Sequence, residues 1–228
     1  MRIVFIISAP SGSGKSTLVN ELRKIVPGLE FSVSYTTRPP RGSEQNGREY
    51  CFVTRPEFDE MVRKGELLEH AEVFGNCYGT AKRFLREAEQ KGHDLLLDID
   101  VQGAKQVKEK IPEAVSIFVL PPDRDKLEWR LRNRGLDSEN VIRRRLEEAR
   151  REIENYDKYD YILVNEQVQR AVDELGAIVL AERLRGAGVK PSVNDKRILE
   201  IAEKRKLANM RERVQGILRS FKGDGTKS

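Results

Sequence analysis

The sequence predicts a doubly wound α/β fold, in which strands alternate with helices along a parallel sheet. Three observations carry that expectation. Ile3 to Ile7 and Val115 to Leu120 are continuous apolar runs of strand length, and Leu95 to Ile99 is a third with Asp98 and Asp100 at its close. Such runs are the interior strands of parallel sheets, buried on both faces. The first run leads through SAPSGSGKST directly into apolar residues at helical spacing, the strand, glycine loop, helix order that opens a parallel unit. Charged helical segments, Arg124 to Arg134 and Ser138 to Tyr156 with Gly135 between them, then separate Val115 to Leu120 from a fourth strand, Tyr161 to Val164.

The remaining elements follow in order. Leu18, Val19, Leu22, Ile25 and Val26 form the apolar stripe of the first helix. Tyr35 to Tyr50 is rich in Arg, Pro and Gly, which suits an exposed loop or hairpin, and EYCFV after it has β-type residues. Thr54 and Glu57 have capping-box spacing before a helix to Arg63. A helix to about Arg185 follows the fourth strand, and Gly186, Gly188 and Pro191 then mark a boundary between residues 1–185 and a C-terminal extension, 186–228. In the extension, Ser192 and Asp195 again have capping-box spacing before a helical run to about Phe221, and residues 223–228 should fray. Leu207, Met210, Val214, Ile217 and Phe221 make a seam of two heptads, which would either dock on the body or pair with a second chain.

Composition limits what the chain can be. Its 228 residues carry 42 Lys and Arg against 37 Asp and Glu, a net charge of +5. Residues 1–185 hold 31 basic and 32 acidic side chains, the extension 11 and 5. A near-neutral body lacks the broad basic face on which nucleic-acid affinity rests, so no nucleic acid is expected as a partner. No apolar stretch reaches the roughly 18 residues of a membrane span, and neither a span nor a secretory signal is expected. Cys51, Cys77, His70 and His93 offer no disulfide framework and no zinc spacing, which suits unpaired thiols in a reducing, cytoplasmic setting.

The strongest chemical signal is the loop Ala9, Pro10, Ser11, Gly12, Ser13, Gly14, Lys15, Ser16, Thr17. In a Walker A loop the main-chain amides and the helix N-terminus face phosphates, the Lys reaches the β and γ oxygens, and the Ser hydroxyl ligates Mg2+. Glycine is needed where a Cβ would obstruct the turn. The general pattern opens with Gly and this chain has Ala9, but the strand and helix on either side supply the context. A nucleoside triphosphate with Mg2+ is the expected ligand.

A triphosphate site alone leaves the acceptor undecided. The runs SVSYTTRPPRGSEQNGREYCFV, LLEHAEVFGNCYGT, LLLDIDVQGA, RNRG, IRRRLEEA and YDYILVN, in that order, resemble the guanylate kinases over about residues 1–185. The resemblance implies a P-loop NTPase-type sheet with a GMP-binding subdomain over about 35–95, a helical lid over about 124–156, and transfer of the γ-phosphoryl of ATP to GMP or dGMP. It places the GMP phosphate on Ser34, Arg38, Arg41, Tyr50 and Tyr78, a set of guanidiniums and hydroxyls suited to a dianion. It places guanine on Glu69, with Thr80 donating to O6 and Asp100 adding a further contact. A carboxylate there can accept from guanine N1–H and its 2-amino group, whereas adenine would leave it facing a lone pair.

By the same resemblance, Arg130, Arg134 and Arg145 surround the transferring phosphoryl and Asn165 contacts adenine. Asp98 and Asp100 lie on one face of a strand end, and Asp98 is assigned to Mg2+ through water. His70, one residue from Glu69, would alternate to the opposite face, and Arg132, Arg143 and Arg144 read as solvated helix charge. A guanylate-kinase-like peptide adaptor and a P-loop kinase for a phosphorylated sugar are the competing readings; Lys15 and Ser16 argue against the first, Glu69 and Thr80 against the second.

Overall fold

The computed structural model of the protein describes residues 2–73, 75–133, 138–188 and 190–222. Arg134, Gly135 and the segment 223–228 lie outside the described residues. The chain begins with β1 (Val4–Ser8), α1 (Lys15–Ile25), β2 (Leu29–Phe31), β3 (Tyr35–Thr36), β4 (Cys51–Phe52), α2 (Arg55–Arg63), β5 (Leu67–Val73), β6 (Asn76–Ala81) and α3 (Arg83–Lys91). It continues with β7 (Asp94–Asp98), α4 (Val101–Lys110), β8 (Val115–Leu120), α5 (Arg124–Asn133), α6 (Glu139–Ile153), a 3-10 turn (Tyr156–Lys158), β9 (Tyr161–Val164), α7 (Val168–Ala187), α8 (Val193–Glu203) and α9 (Leu207–Ser220).

One sheet has the order β2-β7-β1-β8-β9, and the pairs β2 with β7 and β8 with β9 are parallel. Every residue of β1 and β8 is buried, Ser8 and Ser116 among them, as near-continuous apolar runs require of interior strands. A second sheet, β4-β3-β6-β5, is partly antiparallel. Sequence reasoning did not resolve it, because β5 buries a charged residue, Glu69, within LLEHAEV, so its apolar pattern is broken where the strand is most enclosed. β3 is only two residues long; Ser34, just before the stretch expected to be an exposed loop, and Thr36 and Arg38 at its head are buried.

The chain divides into two compact units, one of Ile7–Pro27 and Ser116–Ser228, the other of Arg2–Ile6 and Gly28–Val115. Both capping boxes form: Thr54 accepts from Glu57 N while Glu57 accepts from Thr54 N, and Ser192 and Asp195 do the same. α7 is buried along most of its length, its apolar residues spread around the helix rather than confined to a stripe.

The C-terminal run is two helices rather than one. It breaks at residues 204–206 because the main chain there pairs with β9: Ile162 N donates to Arg205 O (2.8 Å) and Leu207 N to Asp160 O (3.0 Å). An edge strand's open amides thus gain partners from the extension. The seam docks within the chain, with Met210, Val214, Ile217 and Phe221 all buried. A second chain would have to use some other surface.

Candidate active site

The first unit holds the glycine loop. β1 ends at Ser8 and α1 starts at Lys15, so the loop is stretched between a buried strand and a helix N-terminus. Ser13 N donates to Pro10 O (3.1 Å), and Gly12 and Gly14 have φ of 91° and 89°, the left-handed region that other residues avoid. Gly14 is the N-cap of α1 without a side-chain cap. The amides of Lys15, Ser16 and Thr17 are therefore first-turn donors with no intrahelical acceptor, and the helix end favours negative charge. Lys15 is half-buried; Ser16 and Thr17 are exposed.

The loop is braced at the carbonyl of Ser13. It accepts from Nδ2 of Asn165 (2.8 Å) and Nη1 of Arg130 (3.3 Å), while Nη2 of Arg130 donates to the carbonyl of Asn165 (2.7 Å). A Cβ at Gly14 would lie 2.5 Å from Nδ2 of Asn165, and one at Gly12 would lie 2.9 Å from the side chains of Leu127 and Leu131. The loop's glycines thus serve close packing of the protein on itself as well as phosphate approach. The hydroxyl of Ser13 and Oδ1 of Asn165 are buried with no hydrogen-bond partner.

The second unit holds the residues expected to bind the acceptor. β5 and β6 place Glu69 directly opposite Thr80, next to an irregularity between Leu67 and Glu69. Glu69 is 3% exposed, and burial raises its carboxyl to about 7, with the charge of Asp100 adding to the shift and Thr80 and Lys110 opposing it. The Thr80 hydroxyl and main chain lie close enough to Glu69 to lower its carboxyl, but the hydroxyl is buried and reaches no partner at hydrogen-bonding geometry. Asp100 caps α4, accepting from Gly103 N (2.8 Å). A Cβ at Gly103 would fall 2.4 Å from Oε2 of Glu69, so the carboxyl rests on the bare main chain of the first turn of α4. Gln106 ties the same helix to β5, accepting from His70 N (3.2 Å) and donating to His70 O (2.6 Å).

Arg38 is 6% exposed and lies over the rings of Tyr50 and Phe52, 5.2 and 5.8 Å from their centroids. Its two terminal nitrogens both bond Glu44 at 3.0 Å, and Glu44 also accepts from Arg41 N (2.7 Å). The Arg38 guanidinium holds the Glu44 carboxyl below its usual range against some desolvation. Tyr50 meets Tyr78 edge-on, ring centroids 6.0 Å apart. β3 and β6 hold Tyr78 opposite Thr36, and β4 is tied to Ser34 by Cys51 N donating to Ser34 O (2.9 Å).

A family model described as guanylate kinase matches residues 1–182. The chain belongs to the guanylate kinase family. It is 62% identical over 222 residues to a guanylate kinase of Koribacter versatilis, covering 96% of this chain and 95% of that protein, so that match reaches into the extension. A guanylate kinase of Geobacter metallireducens is 51% identical over 194 residues, 85% of this chain and 96% of that one. The crystal structure of a guanylate kinase from Anaplasma phagocytophilum superposes with a TM-score of 0.66 at 36% identity, covering 80% of this chain and 87% of that chain.

Within this guanylate kinase family member, Ser34, Arg38, Arg41, Tyr50, Glu69, Tyr78, Thr80, Asp98 and Asp100 all belong to the second unit, and residues 9–17, Arg130, Arg145 and Asn165 to the first. Arg145 is half-buried on α6; Arg134 is not among the described residues. Asn165, expected to contact adenine, donates Nδ2 to Ser13 O and is 1% exposed. His70 is exposed beside buried Glu69 and Ala71, as strand alternation predicts. Arg132 pairs with Glu128 and Glu139, and Arg144 with Glu148, as surface helix charge does.

Sequence reasoning passed over Glu44, Gly103 and Gln106. Glu44 left a signal, an acid three residues after Arg41 and six after Arg38; Gly103 left none, because the carboxyl it makes room for lies 34 residues earlier.

Proposed function

We propose that this chain transfers the γ-phosphoryl group of ATP to GMP, and also to dGMP, giving GDP or dGDP and ADP. One observation carries the guanine part: a buried carboxyl, Glu69, faces a buried hydroxyl, Thr80, that has no partner. A buried hydroxyl left unbonded is costly, on the order of 1–3 kcal/mol, and guanine O6 would satisfy it while N1–H and the 2-amino group satisfy the carboxylate. AMP and the pyrimidine monophosphates offer no such match.

In the reaction, an oxygen of the GMP phosphate attacks the γ-phosphorus and the bond to the bridging β–γ oxygen breaks, leaving ADP. Such transfer needs alignment and positive charge more than covalent help. The loop amides and Lys15 hold the donor phosphates; Ser34, Arg38, Arg41, Tyr50 and Tyr78 hold the acceptor phosphate; Arg130, Arg134 and Arg145 neutralise the moving group. For the phosphate to take the Arg38 guanidinium it must compete with Glu44, which holds that side chain in place beforehand and meets Arg41 only at its main-chain amide. Glu44 therefore acts as a placeholder anion.

Mg2+ fits this chain as a companion of ATP rather than as a resident ion. The glycine cradle suits phosphate, and among the described residues no cluster of three or more His, Cys, Asp or Glu could hold a metal. Mg2+ binds through one or two protein oxygens plus phosphates and water, so Ser16 and, through water, Asp98 would hold it. The ion supplies charge neutralisation on the phosphate oxygens. Free Cys51 and Cys77 suit a reducing, cytoplasmic compartment, and no helix among the described residues is long and apolar enough to cross a membrane.

The test is ADP release in a coupled assay with GMP, AMP, CMP and UMP as acceptors. Turnover confined to GMP and dGMP is expected. Comparable turnover with AMP would defeat the base reading, and no turnover with any acceptor would favour the peptide adaptor.

A further inference from the structure

We propose that the C-terminal helix pair is a positioning device for the donor nucleotide, acting through the two residues that brace the glycine loop. The inference rests on the reading of that loop as the ATP site. Asn165 and Arg130 meet at the carbonyl of Ser13, and each sits on an element that the extension grips within the same compact unit.

Asn165 directly follows β9, and the next residue, Glu166, accepts from Nη2 of Arg213 on α9 at 2.6 Å. Upstream, β9 is clasped by the main chain at Arg205 and Leu207. Downstream, Glu174 of α7 is 8% exposed and bonded by Arg205 and Arg170; burial pushes its carboxyl up, but the two guanidiniums outweigh this and hold it below the usual range. The β9–α7 connection is thus fixed to the extension on both sides of Asn165. Arg130 lies on α5, whose first residue is tied to the end of α9 by Arg124 N donating to Ser220 Oγ (3.0 Å).

A cavity of about 200 Å3, lined by Val164, Glu166, Arg170, Arg205, Met210 and Arg213, separates α9 from this connection. Close packing therefore does not fix Glu166 there; the ion pair and the clasped backbone do. An apolar seam alone would stabilise the fold without touching either brace, yet two polar contacts of α9 fall on the residue after Asn165 and at the start of the helix that carries Arg130, while a third joins Gln215 to the Tyr156 hydroxyl. Small displacements of Ser13 would be felt at once by phosphates held on the neighbouring amides.

The experiment uses full-length protein, with ATP affinity measured by titration calorimetry, KM for ATP and for GMP measured separately, and thermal stability as control. Arg213→Glu sets two acids against each other and should weaken ATP binding about fivefold, within the range of exposed pairs; Ser220→Ala should weaken it about twofold. In both, the KM for GMP and the melting temperature should stay at wild-type values. The double variant Arg213→Glu with Glu166→Arg should restore ATP affinity. Wild-type ATP affinity in Arg213→Glu and Ser220→Ala alike would overturn the proposal. So would an equal rise in both KM values with a fall in melting temperature, or a double variant that fails to recover. If wild type binds ATP without phosphorylating GMP, the functional reading falls while the ATP affinities still decide this one; if wild type binds no ATP, both are overturned.

Discussion

The two units hold their expected ligands by different means. In the first, recognition is built from main chain: the amides at the start of α1, two glycines with positive φ, and a carbonyl braced by Asn165 and Arg130. In the second it is built from side chains: a buried carboxyl, a buried hydroxyl, and an arginine enclosed by Tyr50, Phe52 and Glu44. Main-chain recognition reads what every nucleoside triphosphate shares; side-chain recognition distinguishes one base from another. Substitutions should therefore divide cleanly, with changes in the loop lowering rate or ATP affinity and changes near Glu69 altering the choice of acceptor.

The largest expected effect is Lys15→Ala, which should lower kcat by about 100-fold to 1000-fold, the range for removing one charge-stabilising group, with the affinity for GMP retained. Single-turnover kinetics with calorimetry for GMP checks this, and loss of GMP affinity would blur the division. Gly14→Ala comes next: a left-handed residue acquires a Cβ 2.5 Å from Nδ2 of Asn165, and both the strain and the displaced brace act on the loop. About 1–3 kcal/mol of strain should appear as a tenfold or greater rise in KM for ATP, measured at saturating GMP.

Gly103→Ala is the counterpart in the second unit, where the new Cβ would fall 2.4 Å from Oε2 of Glu69. The carboxyl must move, so KM for GMP should rise roughly tenfold, in line with about 1.4 kcal/mol lost from one misplaced polar contact, while KM for ATP holds. An unchanged GMP to AMP preference would show that Glu69 tolerates displacement or that another residue reads the base.

The smallest expected effect is a pH dependence. Burial raises Glu69 to about 7, so near neutrality a substantial fraction is protonated and cannot accept both guanine donors. GMP affinity should rise a few-fold between about pH 6 and 8, with proton release on binding, and Glu69→Gln should abolish that part of the dependence while keeping the part due to the GMP phosphate. For folding the sign is opposite: the raised carboxyl binds its proton more tightly in the native state, so its contribution is full below the unfolded value and is lost as pH rises through 7. Calorimetry in buffers of different ionisation heat separates the two.

Much of this was legible in the sequence because local rules suffice for it. β8 and β9 begin and end where the apolar runs do, both capping boxes form, and the glycine loop lies between the strand and helix that announce it. Motif order pointed to the family, which the comparisons show, and to a set of residues proposed to hold the acceptor. The second sheet was not legible, because a strand that buries Glu69 violates the pattern by which strands are found. Nor was the break at residues 204–206, since nothing local interrupts the helix.

The amino-acid order alone determined the parallel strands and the glycine loop, since each depends on residues near one another in the chain, and the family, since that depends on the order of motifs along it. Tertiary structure alone decided that the carboxyl of Glu69 rests on Gly103, that Asn165 braces Ser13 rather than standing free, and that the extension clasps β9. Those are meetings of groups 34, 152 and about 45 residues apart, and the energy of a contact depends on distance in space, which separation along a chain does not encode.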